Sequence, residues 1–372
     1  MRVLHVEAGR HLYGGARQVA WLVEGLARRG VDNLLACAPG AGIAAHVAGS
    51  ARVLEMPMRG DADAALAWRL ARAIRAERPD LIHLHSRRGA DLWGGVAARL
   101  TGTACVLSRR VDNPEPRWLA RTKYRLYDHV IAISQGIRDV LVAEGVAPQR
   151  VSCVRSAVDA APYLQPVDRE AFLAEFALAA DARVIGMVAQ LIPRKGHRYL
   201  IDAVDVLRGD HPELRVLLFG QGPSRAQLEA EVARRGLSDT IRFAGFRTDL
   251  PRWLSGLDIV AHPADMEGLG VSLLQASAAA VPIVASRAGG LPEAVSDEVS
   301  GLIVPPGDVP ALVAALRRLL ADAGLRRSLG AAGRARILAE FSVDAMVEGN
   351  LAVYHRVLAA RGTRAVANGD PG

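Results

Sequence analysis

An acid, Glu267, stands just ahead of a glycine-broken turn in DMEGLGVSLLQASAAAVPIVAS (265–286), and a polar Gln275 interrupts the apolar helix face that follows. The pattern predicts a helix opening near Gly270. The amides of Gly270, Val271 and Ser272 would then lack partners inside the helix and form a seat for an anion. A ligand reaching both polar side chains must be elongated, with a hydroxyl at Glu267 near its reacting end and a diol at Gln275. A second cluster lies in QLIPRKGHRYL (190–200), where Arg194 and Lys195 precede Gly196 at the mouth of a strand–loop–helix unit. Two adjacent cations there suit a diphosphate. Of 46 basic residues only Lys123 and Lys195 are lysine, so a compact ammonium kept at 195 suggests a demand that arginine does not meet. Gly14 and Gly15 close the loop after the first strand, where bare N–H groups at a helix mouth let a phosphate come close. Each feature has a structural alternative: a tight turn, a solvated cation pair, an interdomain contact for Glu267, a loop cap for Gln275.

The elements that must position these groups alternate along the chain. RVLHVEA, DNLLACAP, LIHLHS, ACVLSRR and HVIAIS read as strands, and GGARQVAWLVEGLARRG, AALAWRLARAIRAERP, GADLWGGVAARLTG and QGIRDVLVAEG as helices. After the proline-marked linker VDAAPYLQPVD and a short helix, REAFLAEFAL, the alternation restarts at RVIGMVAQL and continues to GLIVPPGD, with helices over 309–340. Strands alternating with helices imply right-handed crossovers and parallel sheets. The fold class is therefore α/β, with two doubly wound Rossmann-like domains and a ligand cleft at the carboxyl ends of their strands. No G-x-G-x-x-G follows the first strand, which weakens a nicotinamide reading. Residues from about 361 onward read as a frayed polar tail.

At 372 residues, 51% hydrophobic and 23% charged, the chain is long enough for two globular domains. No apolar run is long enough to span a bilayer, and the expectation is a cytoplasmic protein. Cys37, Cys105 and Cys153 are widely spaced in apolar contexts and read as reduced core residues. Residues 1–170 hold 24 Arg/Lys against 17 Asp/Glu, and residues 171–372 hold 22 against 22. The excess positive charge lies in the first half, which either meets something anionic or reflects an arginine-rich proteome.

Taken together, YGGARQV, VIAISQGIRDVL, QLIPRKGHRYLIDAV, LLFGQGP, IRFAGFRTDLPRWLSGLDIVAHPADMEGLGVSLLQASAAAVPIVASRAGGLPEAV and GLIVPPGD carry a specific likeness. The chain resembles, over nearly its full length, the retaining glycosyltransferases of GT-B architecture, in particular glycosyltransferase family 4. The resemblance implies transfer of a hexose-type sugar from a nucleotide diphosphate sugar to an acceptor hydroxyl, with retention and with no metal or other cofactor. It implies an acceptor-binding domain over 1–160, a nucleotide-sugar domain over 170–342, and a helix over 343–360 packing back onto the first, leaving 361–372 as the tail. By position, Gly15 would give an amide to the diphosphate, Lys195 would neutralise it, Glu267 would hold a donor-sugar hydroxyl, and Val271 and Ser272 would offer amides to phosphate. Gln275 would contact the ribose, and Phe246 and Arg247 would lie beside the base.

Several positions depart from the family's pattern. Gln275 stands where a second glutamate is usual, so an amide accepts from one ribose hydroxyl and donates to the other. The usual Gly-Arg reads Ala189-Gln190, with Arg194 as the nearby replacement cation. Arg109 or Arg110 in LSRRVDN stands where a histidine is common and could serve a donor phosphate or an anionic acceptor. A glycine is usual within AAAVP (278–282).

The expected reaction is front-face substitution, with the leaving diphosphate stabilised by preorganised charge and domain closure hinged near 159–168 and 342–346. Removing Lys195 should then cut turnover and leave the melting temperature nearly unchanged. The expected acceptor is a glycan, lipid or lipid-linked sugar of the cell envelope, as in lipopolysaccharide. His85, at the carboxyl end of LIHLHS, could face the cleft with Arg109 and Arg110, or be a core histidine. RRVDNPEPRWLARTKYRLYDH (109–129) holds six Arg/Lys with Trp118, Tyr124 and Tyr127 interleaved. It is either a contact with the anionic inner face of the plasma membrane or a solvated helix with its aromatics turned inward. A nucleotide-sugar epimerase of the same architecture and a catalytically weakened sugar-nucleotide binder are the rival readings. A nucleic-acid partner is not expected, because no readout motif is present.

Overall fold

Strands buried on both faces of a parallel sheet read as unbroken apolar runs, and the strands of this chain do so in two separate sheets. The computed structural model describes residues 1–12, 14–85, 89–111, 113 and 115–367. It divides into two units: Met1–Ala157 together with the chain from Val343 onward, and Val158–Ser342.

The first unit runs β1 (Arg2–Glu7), α1 (Gly15–Ala27), β2 (Asp32–Cys37), α2 (Gly42–Val47), β3 (Arg52–Glu55), α3 (Ala65–Glu77), β4 (Leu81–Leu84), α4 (Ala90–Thr101) and β5 (Ala104–Arg109). It continues through α5 (Arg117–Lys123), β6 (His129–Ala132), α6 (Gln135–Ala143) and β7 (Val151–Cys153). All seven strands are parallel, in the order β3-β2-β1-β4-β5-β6-β7. The order reverses between β1 and β4, the switch point at which open α/β sheets bind ligands. The short α2, β3 and β7 escape a sequence reading. β3 is an exposed edge strand and β7 spans three residues, so neither carries a long apolar run. The three cysteines are free thiols.

In the second unit come α7 (Arg169–Glu175), β8 (Arg183–Val188), α8 (His197–Leu207), β9 (Leu214–Phe219), α9 (Arg225–Arg234), β10 (Ile241–Gly245) and α10 (Leu250–Trp253). After these follow β11 (Ile259–His262), α11 (Val271–Ala278), β12 (Ile283–Ser286), α12 (Leu291–Ala294), β13 (Gly301–Val304), α13 (Val309–Ala321) and α14 (Ala323–Glu340). Its six parallel strands run β10-β9-β8-β11-β12-β13, with the switch between β8 and β11. Apolar cores cover both faces, one around Phe172, Trp253 and Leu273, the other around Leu200, Val216 and Leu316.

The last helix, α15 (Val343–Ala367), belongs to the first unit. It crosses α1 at Gly25, where a Cβ would lie 2.4 Å from Val347 Cγ2. Arg29 ties the crossing to Glu348 (2.6 Å) and Asp344 (3.1 Å). The expected tail from 361 is instead helix as far as Ala367, because Arg361 pairs with Asp128 (3.0 Å) and donates to the Gly102 carbonyl. Residues 368–372 lie outside the described residues. Among the described residues no helix is long and apolar enough to cross a membrane.

Ala280 holds a left-handed backbone, φ +57°, in the turn from α11 to β12. It falls in the AAAVP segment where a glycine is usual, and an L-residue there costs about 1–2 kcal/mol. Ala280→Gly removes that cost and adds unfolded-state freedom worth about 0.4–1 kcal/mol. A net gain of about 0.5–1 kcal/mol in urea unfolding is expected.

Candidate functional site

The two loops that leave the switch point of the second sheet press against each other. Gly196, at φ +76°, caps α8, and a Cβ on it would lie 1.9 Å from the Pro263 carbonyl oxygen. Asp265 N donates to Arg194 O (2.9 Å) across the same seam. This closeness puts Lys195, after β8, beside Glu267, after β11. The Lys195 ammonium pairs with Glu267 Oε2, which also accepts from His262 Nε2 at 3.0 Å, while Oε1 accepts from Gly268 N at 3.1 Å. A carboxylate offers about four acceptor positions, so one remains. Lys195 keeps two N–H groups with no acceptor among the described residues.

Burial alone would raise the Glu267 carboxyl, but the bond and charge of His262 and the Lys195 ammonium hold it down to about 2 from an ordinary 4.5. The Glu267 carboxyl is therefore ionised across the neutral range. Lys195 is itself buried, at 9% exposure, so it is also part of the unit's packing. That corrects the expectation of an unchanged melting temperature on its removal, since a buried carboxylate would lose a partner. His197, 2% exposed, opens α8 with neither ring nitrogen bonded among the described residues. Burial, then the charges of His262 and Lys195, lower it to about 4.

α11 begins at Val271 with Gly270 as its cap, φ +78°, a residue with no side chain to bond the helix's first amides. The first amide bonded within the turn is that of Leu273, to Gly270 O at 2.8 Å. Gln275 lies half-buried on the second turn. Gln190 is exposed and Arg194 half-buried on the loop after β8. Phe246 is 54% exposed. Arg247 is committed locally, bonded to Glu175 (2.7 Å) and Asp249 (2.6 Å) and stacked on Phe176. Gly14 (φ +53°) and Gly15 belong to the first unit, at the start of α1.

The first unit has its own cavity at its switch point, of about 190 Å³, lined by Glu7, Gly15, His85, Arg109 and Arg110 among others. Arg109 does not serve as a free cation. Its guanidinium donates to Val111 O (2.8 Å), Glu115 Oε1 (2.8 Å) and Asn113 O (2.5 Å), fastening its own loop. Arg110 instead has a buried Nε with no acceptor among the described residues, and burial lowers its pKa. Lys123, the other lysine, bridges Asp91 (2.7 Å) and Glu115 (3.2 Å). His85 is buried in a group with His5 and His83. His83 bonds Tyr354 OH (2.6 Å) and Ser108 Oγ (2.8 Å).

Sequence reasoning missed His262, His197, His5 and Asn33. DIVAHP carries a histidine five residues before Glu267, a spacing that could have flagged His262. His5 and Asn33 sit inside strands and gave no such signal.

Two doubly wound units, each with a polar cluster at its switch point, define the GT-B architecture of glycosyltransferases. The model described as Glycosyltransferase Family 4 matches residues 13–161, and that described as Glycosyl transferases group 1 matches residues 168–336. The chain is 30% identical to a lipopolysaccharide core biosynthesis glycosyltransferase, LpsD of Rhizobium meliloti (strain 1021), over 97% of this chain and 100% of that one. It is 32% identical to the 2-deoxystreptamine glucosyltransferase of Streptomyces kanamyceticus, over 74% of this chain and 77% of that one. The crystal structure of HepE from Anabaena in complex with UDP matches in fold, with TM-score 0.84 and 21% identity over 96% of this chain and 100% of that one. The chain belongs to glycosyltransferase family 4.

Because the Glu267 carboxyl is lowered on folding, its contribution to stability is whole above pH 4.5 and is lost as pH falls toward 2. Glu267→Gln should cost a few kcal/mol at pH 7 (on the order of 1.4 kcal/mol per pKa unit). In urea titrations from pH 7 to 3.5, the gap between parent and variant should narrow only below pH 4.5.

Proposed function

We propose that the protein moves a hexose-type sugar from a nucleotide diphosphate sugar to an acceptor hydroxyl with retention, in the assembly of cell-envelope glycan or lipopolysaccharide-type glycolipid. The observation that carries this reading is the buried cluster of Lys195, Glu267 and His262 at the mouth of α8 and beside that of α11. The two ammonium N–H groups left by Glu267, Arg194, and the amides of Val271 and Ser272 can receive a diphosphate. Such preorganised charge stabilises a departing anion without a divalent ion. The remaining acceptor position of Glu267 suits a sugar hydroxyl, Gln275 suits the ribose, and the exposed Phe246 ring suits the base. The acceptor oxygen bonds to the anomeric carbon on the face from which the phosphate oxygen departs. The leaving diphosphate takes the bonding electron pair, and then the hydroxyl proton. UDP in the related HepE structure supports a uridine nucleotide donor, and the LpsD relative supports an envelope acceptor.

The basic segment 109–129 bears on where this happens. Tyr124 and Tyr127 are each 2% exposed and pack inward, so they are not interfacial aromatics, whereas Trp118 is 73% exposed between exposed Arg117 and Arg121. Asp112 and Pro114 of that segment lie outside the described residues. One aromatic among outward arginines supports a peripheral contact with the anionic inner face of the membrane.

Thermal shift with UDP, GDP and ADP tests the donor: at a hundredfold excess over Kd the right nucleotide adds about 2.7 kcal/mol. Lys195→Ala should cut turnover by about 10²–10³ and also lower the melting temperature, and EDTA should leave the parent's turnover unchanged. Formation of an epimer from a nucleotide sugar without acceptor would replace this reading with the epimerase. Pelleting with anionic vesicles, reduced by Trp118→Ser, tests the membrane contact; no lipid-dependent pelleting removes it.

A further inference from the structure

We infer that the cavity of the first unit seats a neutral sugar-type hydroxyl of the acceptor, received by a proton-free Nδ1 of His85 whose tautomer Asn33 sets through His5. The inference deepens the glycosyl-transfer reading and rests on it for the word acceptor.

A single chain of hydrogen bonds links Asn33 to His85. Asn33 Nδ2 donates to the carbonyls of Val23 (3.1 Å), Val31 (3.2 Å) and Ser50 (3.3 Å), which fixes the amide's orientation. Its Oδ1 therefore faces His5 Nε2, at 3.2 Å. An amide oxygen only accepts, so His5 Nε2 carries the hydrogen, and a neutral imidazole has one. His5 Nδ1 is then a lone pair, and its 2.9 Å contact with His85 Nε2 requires the hydrogen to sit on that nitrogen. His85 Nδ1 is left bare. Burial, joined at His85 by the neighbouring histidines and Arg110, holds His5 and His85 below the usual histidine range, so both rings are neutral near pH 7.

His85 Nδ1 and Arg110 Nε are buried and have no partner among the described residues, and both residues line the same cavity. One is an acceptor without a donor, the other a donor without an acceptor. A hydroxyl is the small group that donates once and accepts in return. An anion would suit Arg110 but would meet the lone pair of His85 and the carboxylate of Glu7. A metal ion is the other candidate, since the ligating nitrogens of His5, His83 and His85 lie within 4.8 Å of one another. But His5 uses its lone pair on His85, and both nitrogens of His83 are bonded to hydroxyls. Only one free lone pair remains for an ion, so three-histidine ligation would have to break this network.

Asn33 is thus a positioning residue acting through His5. The test labels histidine and arginine with nitrogen-15 in the full chain and reads histidine tautomers from long-range proton–nitrogen couplings at neutral pH, which needs no turnover. The expected parent spectrum shows His85 protonated at Nε2 with an imine-type Nδ1. Asn33→Leu loses that preference, giving a mixture of tautomers. Should Asn33→Leu fail to fold, His5→Phe breaks the same chain one link later and gives the same mixture. Methyl α-glycosides of glucose, galactose and mannose are then titrated, with acetate, inorganic phosphate and Zn²⁺ in separate arms. At least one glycoside should shift His85 Nδ1 and Arg110 Nε together. A proton on His85 Nδ1 overturns the inference, as does a shift with the anions alone, or no shift with any glycoside. Zn²⁺ bound by all three imidazoles overturns it in favour of a metal site. A failed nucleotide thermal shift would remove the transferase reading yet leave this spectrum standing, so the two failures are distinguishable.

Discussion

Gly196 and the Pro263 carbonyl approach so closely that no side chain fits at 196, and the left-handed backbone there favours glycine in its own right. Much of the second unit's chemistry depends on this contact. The loops after β8 and β11 belong to strands that pair at the switch point, but pairing alone would leave Lys195 and Glu267 on separate loops. The glycine closes the gap, and the buried ion pair with His262 fixes it electrostatically. The ammonium is then held where its remaining hydrogens need an acceptor. A buried carboxylate with three donors is a rigid reference point, and rigidity is what stabilisation of a leaving anion requires.

The first unit uses its switch point differently. A row of neutral imidazoles runs from Asn33 toward the cavity, and Arg110 borders it. Arg109 and Lys123 are used to build the wall, pairing with Glu115, and this accounts for one of the two lysines in structural terms. Lysine's compact ammonium fits between Asp91 and Glu115 where a planar guanidinium would need a wider gap. Scarcity of lysine thus marked two buried ion pairs, only one of them at the candidate donor site.

The alternation of strands and helices was legible in the sequence because parallel strands need unbroken apolar runs, whereas the strand orders, and with them the two switch points, are set by tertiary pairing. Lys195 and Glu267 could be singled out because a charged residue beside a glycine at a helix mouth is unusual. Their contact could not be read, since it depends on a backbone approach between loops 72 residues apart. Arg109 and Arg110 were indistinguishable in sequence. Both border the cavity, and only the bonds to the following loop, which engage Arg109 and leave Arg110 Nε without an acceptor among the described residues, tell them apart. His5, His83 and Asn33 read as core because they are core; their chemistry lies in the direction of their hydrogen bonds, which no residue pattern encodes.

The placement of α15 has a consequence for synthesis. Val3, Leu22, Leu26 and Val106 are covered by Met346, Val347 and Tyr354, residues that leave the ribosome only after the whole of Val158–Ser342. The inserted unit can therefore complete its fold during translation while the first unit still exposes an uncovered apolar face. Until α15 docks, that face stays open to solvent in the nascent chain. It also makes a ribosome that stalls short of Val343 the source of a product with one finished half and one adhesive one.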